Sequence, residues 1–241
     1  MQRQVNSDMW LVVHTPKTAG TSFRWALEKY FGRSKIVCDY GPKADATSDV
    51  VREHLYSGDE SKGPGTLVED ISNQKKQILI GHFYLPKYVN YFDTQNIITF
   101  VREPLVRTCS EYLHRVKNKT FSGTFSEFVL KPVYQNLQSQ FLSGISDESF
   151  VGITEQYREA LRYINHDTQW NLTRLKKNVG RRGGGQKFAK NLSVKELDLF
   201  YKINMEDVVL YNSAVRRFAA LEGYPPKNLG FFNWKKRNLQ E

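Results

Sequence analysis

Cysteine is scarce in this chain: two residues in 241, Cys38 and Cys109. That excludes a multi-bridge disulfide scaffold, and neither cysteine sits in a zinc-ligand spacing. Cys109 falls on a predicted amphipathic helix, which predicts a buried thiol. Long apolar runs are also missing. No stretch approaches about 20 residues, so no membrane-spanning helix is expected. The opening MQRQVNSDMW is polar and has no apolar core of signal-peptide length. A chain complete as given is expected in the cytoplasm, and one trimmed of a leader in the Golgi lumen. Sequons at Asn118, Asn171 and Asn191 arise by chance often enough to leave this unchanged. Internal repeats are absent.

Acidic residues are outnumbered, 25 Asp and Glu against 35 Lys and Arg, for a net charge of +10. Such a surplus favours polyanionic partners: nucleic acid, phosphorylated cofactors, acidic polysaccharide or an anionic membrane surface. It serves solubility equally well, so charge alone selects none of these. The rest is ordinary for a globular chain, with 40% hydrophobic residues and 13% aromatics. The length suits a single α/β domain over 1–241.

Residues 10–14 (WLVVH) read as a short buried strand, 15–22 as a tight loop, and 22–31 as a helix with Phe23, Ala26, Leu27 and Tyr30 at helical spacing. Residues 35–38 and 77–80 predict two more strands. The polar stretch 41–65 predicts loops with one short helix near 50–56. NIITFV at 96–101 is a continuous apolar run typical of a central parallel strand. Pro104 then opens a helix to about 117. Residues 150–153 predict a further strand and 155–164 a helix. Thr124/Glu127 and Ser193/Glu196 are capping-box pairs. The basic, glycine-rich 172–190 segment predicts a mobile loop, followed by helices to about 222. This alternation implies a three-layer α/β fold with a central parallel sheet flanked by helices. Ligands of such sheets sit beyond the carboxyl ends of the strands, where 15–22, His82, Arg102 and Thr154-Glu155 would line one crevice.

Two segments carry chemistry. His14-Thr15-Pro16-Lys17-Thr18-Ala19-Gly20-Thr21-Ser22-Phe23 joins a strand to a helix start. Such a loop offers free backbone N–H groups and the positive end of the helix dipole. Lys17 adds a charge, Thr18, Thr21 and Ser22 add hydroxyls, and Gly20 allows close approach of an anion. The order is not that of a Walker A loop, because the lysine precedes the glycine. In IITFVREPLVRTCSEY (97–112), Arg102 ends the buried strand and Ser110 follows eight residues later. A planar guanidinium and a hydroxyl can grip one phosphate. Arg107 and Arg115 add positive field. The strand ends in Arg102 where an NTPase needs a metal-holding aspartate.

Together these segments resemble the sulfotransferases that use 3′-phosphoadenosine-5′-phosphosulfate (PAPS). The first resembles that family's 5′-phosphosulfate loop, the second its 3′-phosphate element. The resemblance is closest to the heparan sulfate and uronyl 2-O-sulfotransferase branch, with Gly81-His82, the 136–144 stretch and Gly152-Ile153-Thr154-Glu155 also similar. It spans roughly 10–165 and implies a P-loop-like fold and sulfuryl transfer from PAPS, released as the product PAP, to an acceptor hydroxyl. It implies that Lys17, Thr18, Ala19, Gly20, Thr21 and Ser22 hold the 5′ phosphosulfate and Arg102 and Ser110 the 3′ phosphate. Lys17 then also neutralises charge on the leaving phosphate, and His82 is the general base.

Sulfuryl transfer rests on positioning and charge stabilisation, with less charge on the moving group than in phosphoryl transfer, so no metal is expected. His14 is a rival base expected to pack on its strand, and Glu103 is a rival from the opposite side. The 172–190 segment, with Arg174, Lys176, Lys177, Arg181, Arg182, Lys187 and Lys190, reads as a lid, as a track for an acidic acceptor, or as a solvated loop. The acceptor is expected to be a carbohydrate or a secondary metabolite, with no nucleic acid partner. Oligomeric state is open. The reading from another class is a non-enzymatic binder of acidic glycan or nucleic acid.

Overall fold

The computed structural model describes residues 9–174 and 183–221. Five short strands form one sheet: β1 (Trp10–Val13), β2 (Ile36–Asp39), β3 (Ile78–Gly81), β4 (Ile97–Val101) and β5 (Phe150–Ile153), in the order β2-β3-β1-β4-β5. Every neighbouring pair is parallel. β2, β3 and β4 are buried along their whole length. That is why they read as apolar runs rather than alternating patterns. Among the described residues ten helices connect and flank the sheet: α1 (Gly20–Phe31), α2 (Asp49–Leu55), α3 (Pro64–Asn73), α4 (Pro104–Lys117), α5 (Phe125–Val129), α6 (Leu137–Phe141), α7 (Tyr157–Thr168), α8 (Gly184–Ala189), α9 (Val194–Ile203) and α10 (Met205–Ala220).

β1 is the pivot of this topology. The chain leaves β1 toward β2 on one side, while β4 continues to β5 on the other. The carboxyl ends of β1 and β4 therefore flank the switch point at which open α/β sheets bind ligands. Both predicted capping boxes form, Thr124 with Glu127 before α5 and Ser193 with Glu196 before α9. Cys109 is fully buried, as its helical position predicts.

The short helix expected near 50–56 forms as α2. A further helix, α3, takes up 64 and 65 from the expected loop and the unassigned residues after them, because Pro64 starts it and Leu67, Val68 and Ile71 bury one face. Two expectations change. The first helix begins at Gly20, not Ser22, with Ala19 as its N-cap. Of the 172–190 segment, 175–182 lies outside the described residues, so Lys176, Lys177, Arg181 and Arg182 do too. Residues 184–189 are helix α8 rather than loop, because α8 packs on α4. Phe188 anchors it, entering an aromatic cluster with Tyr112 and Phe125.

Candidate active site

The loop after β1 is tightly wound. Lys17 and Ala19 both adopt left-handed backbone, with φ of 70° and 69°. The Thr18 hydroxyl donates to the Thr15 carbonyl at 2.8 Å, closing the turn. This occupies its proton, so any anion contact by Thr18 falls to its backbone N–H. α1 follows without a side-chain cap on its N-terminal N–H groups. The Thr21 and Ser22 hydroxyls have no hydrogen-bond partner among the described residues.

Gly20 also makes room for a neighbouring side chain. A Cβ there would lie 1.9 Å from His14 Cδ2 and 2.3 Å from its Nε2. The His14 ring occupies the space that any other residue would fill. His14 itself is 7% exposed, and burial holds its pKa well below the usual histidine value, with His82 and Arg24 adding to the effect.

Arg102, at the end of β4, reaches across the switch point. Its Nη1 donates to the Lys17 carbonyl at 3.2 Å, and its Nε lies 3.9 Å from Glu155. Its backbone is clamped by Gln138 of α6, which accepts from Arg102 N–H at 2.8 Å and donates to its carbonyl at 3.0 Å. Glu103, the rival base, lies at the start of α4. Its carboxylate caps α4 by accepting from the Leu105 and Val106 N–H groups. Burial pushes its carboxyl up to about 7 despite those bonds.

Positive charge gathers around Lys17. Burial lowers the Lys17 pKa; Glu111 opposes this, and Arg102, Arg115 and Arg107 lower it further. Glu111, buried and paired to Arg115 at 2.6 Å, is the carboxylate in this group. Arg107 is completely buried, and its Nε and Nη1 have no hydrogen-bond partner among the described residues. Ser110 lies on the same helix, also without a hydroxyl partner there. The chain closes over it at Gly185, where a Cβ would meet Val106 O at 2.8 Å and Ser110 N at 3.0 Å. Of the basic residues in the 172–190 segment, Arg174, Lys187 and Lys190 are described and exposed.

His82 follows β3. Its N–H donates to the Asp39 carbonyl at 2.9 Å, a contact that requires glycine at 81, since a Cβ there would sit 1.7 Å from that oxygen. The His82 side chain opens to solvent, but protein surrounds it on the other sides, and this burial lowers its pKa to about 4; Glu111 opposes and Arg24 adds to the lowering. His14 and Tyr40 flank its ring.

Asp39, one residue past the predicted second strand, was not singled out in the sequence. It is 1% exposed and accepts from Lys87 (2.7 Å), Tyr88 (2.8 Å) and Tyr56 (2.8 Å). Burial pushes its carboxyl up, but these partners outweigh that and hold it below the ordinary value. The network fixes the loop that carries His82. Its sequence signal, an aspartate at a strand end followed by Tyr40-Gly41, is common and unspecific.

The structure thus brings Lys17 and Arg102 together at the sheet's switch point, with His82 beside the same loop through His14. Cationic side chains gather there, and the hydroxyls of Thr21, Ser22 and Ser110 have no protein acceptor among the described residues. Among the described residues no cluster of three His, Cys, Asp or Glu side chains is placed to hold a metal ion, and no helix is long and apolar enough to cross a membrane.

No protein-family model matches the chain, and no curated protein does. Among solved structures it is similar to mouse sulfotransferase SULT7A1 complexed with PAP, at 11% identity and a TM-score of 0.53, over 89% of this chain and 88% of that one. A sulfotransferase from Alicyclobacillus acidocaldarius matches at 12% identity and a TM-score of 0.44, over 86% and 100%. The likeness to the mouse protein shows a shared fold.

Proposed function

We propose that this chain is a sulfotransferase that transfers a sulfuryl group from PAPS to an acceptor hydroxyl, with 1–241 as one domain. The observation that carries the reading is the junction of Lys17 and Arg102 across the β1/β4 switch point. It joins a strand–loop–helix anion cradle to a second cationic grip between β4 and α4, as a cofactor with two separated phosphate groups requires. PAP in the mouse protein of the same fold supports it.

PAPS supplies the activated sulfuryl group and departs as PAP. The Thr21 and Ser22 hydroxyls and the free N–H groups opening α1, with those of Thr18, Ala19 and Gly20, bind the 5′ phosphosulfate. Lys17 neutralises charge on the leaving oxygen. Arg102 and Ser110 bind the 3′ phosphate, which selects against ATP. His82 takes the acceptor proton. It is neutral across the physiological range, as a base must be before it accepts a proton. The clustered cations perform the electrostatic work a metal ion performs in phosphoryl transfer, so no metal is required.

The basic surplus and the resemblance to uronyl-type enzymes support a carbohydrate acceptor, with a secondary-metabolite hydroxyl as the other candidate. The test is transfer of radiolabelled sulfate from PAPS to a panel of glycans and small alcohols without magnesium. His82→Ala is expected to lower turnover by about 100-fold to 10,000-fold, the usual worth of a general base. Salt-sensitive glycan binding with no PAPS-dependent labelling would instead establish a non-enzymatic polyanion binder.

A further inference from the structure

We propose that His14 and Tyr40 are positioning residues for His82, holding its ring in one orientation at the mouth of the site. This rests on the sulfotransferase reading, in which His82 is the base.

Three rings converge from the ends of three neighbouring strands: His14 after β1, Tyr40 after β2 and His82 after β3. His14 meets His82 edge to face, with centroids 4.3 Å apart and planes at 81°. Tyr40 meets His82 at 4.8 Å and 64°. His14 Nδ1 and the Tyr40 hydroxyl form a 3.0 Å hydrogen bond. No described residue hydrogen-bonds to the His82 ring, so these two rings set its orientation.

His14 is in turn fixed on every side. Its backbone N–H donates to the Gly81 carbonyl at 2.9 Å, and its ring fills the space beside Gly20. Burial keeps the Tyr40 phenol protonated by raising its pKa. A protonated phenol can donate to Nδ1, and His14 then carries its proton on Nε2. A purely structural filler has no use for this arrangement. Burying a histidine opposes its protonation, and an aromatic hydrocarbon would pack in the same volume without that cost. What histidine adds is a ring locked by a directional bond. The charged groups facing the trio are Glu111 from α4 and, from α1, Glu28 and Arg24, whose guanidinium lies 5.3 Å from the Tyr40 centroid.

The test is histidine NMR titration on the whole chain labelled with 15N in its imidazoles, alongside PAP release from PAPS with water as acceptor. In the native protein His82 is expected to titrate near 4 and His14 to show a single tautomer. His14→Gln should shift the His82 midpoint measurably, because it removes the ring packed edge to face on it. Tyr40→Phe should give His14 a mixture of tautomers. Both should slow PAP release about tenfold or more while PAP affinity stays within about twofold. Tyr40→Phe keeps every ring in place, so it decides the matter if His14→Gln disturbs folding. Unchanged His82 titration, a single His14 tautomer and unchanged turnover in the variants would overturn the proposal. Failure of the native protein to bind PAP would sink the sulfotransferase reading instead, and the titrations would still decide whether the three rings are coupled.

Discussion

Arg102 donates from Nη1 to the carbonyl of Lys17 across 3.2 Å, joining the loops that leave β1 and β4. Lys17 sits in left-handed backbone at φ 70°, so its carbonyl faces a direction that an ordinary turn would not present. The guanidinium thus steadies the loop whose lysine side chain carries the charge. Gln138 holds Arg102 from behind through both of its backbone groups. The cationic region is preassembled from three separate chain segments.

Gly20→Ala is expected to be costly although alanine is the better helix former. The new Cβ would fall 1.9 Å from His14 Cδ2. Either the ring moves or α1 shifts, and overpacking of this kind costs about 1–3 kcal/mol. Urea denaturation measures the loss, and the His82 NMR signals should shift with it. Unchanged stability with unchanged His82 signals would show that the His14 ring has room.

Asp39→Ala should be among the most destabilising single changes in the fold. It leaves Lys87 and two tyrosine hydroxyls without their acceptor, and removing one member of a buried pair costs about 3–5 kcal/mol. The carboxyl has a folded pKa below its ordinary 3.8, so its contribution is complete above 3.8 and is lost as pH falls through the folded value. The stability gap between native protein and variant should be constant from pH 5 to 8, measured by denaturant titration, and close only in strong acid.

Most of the framework was legible because local rules and the tertiary answer agree. NIITFV is buried at every position of β4, and Pro104 starts α4 where a proline belongs. Lys17 and Arg102 stand out in the sequence by their places after two strands, and the structure joins them. Other features depend on distant partners. Gly20 reads as a place for a ligand, and only the fold shows the His14 ring beside it. Glu103 reads only as a rival base, and the fold adds that its carboxylate caps α4 through two N–H groups. Residues 184–189 are rich in glycine and look like loop, but Phe188 has an aromatic cluster to enter. Asp39 has no local pattern at all, since its three partners lie 17, 48 and 49 residues away.

His14 and His82 together should make the protein acid-sensitive above the carboxylate range. Both have folded pKa values below the ordinary 6.5, so between about pH 4 and 6.5 the unfolded chain binds more protons and stability falls as pH falls. Because His82 is open to solvent, His14 carries more of this effect. Thermal or urea unfolding between pH 8 and 4 should show the decline, and His14→Gln should flatten it. An equal slope in the variant would assign the decline to other groups.

Gly185→Ala is expected to weaken cofactor binding as well as folding. Its Cβ would press on the Val106 carbonyl at 2.8 Å and on Ser110 N at 3.0 Å, driving α8 off α4. The strain should cost about 1–3 kcal/mol. Because the displaced contact lies on Ser110, PAP affinity should fall about tenfold while His82 titration stays as in the native protein. A normal PAP affinity would separate α8 from the site.

The most direct test is calorimetric titration with PAP in the absence of magnesium, beside ATP and beside Arg102→Ala. Tight PAP binding is expected, with ATP much weaker for want of a 3′ phosphate. Loss of the charge-assisted contacts of Arg102 should reduce PAP affinity by about tenfold to 150-fold. Equal binding of ATP and PAP, or no binding by a folded protein, would contradict the assignment of Lys17, Arg102 and Ser110 to a PAPS site.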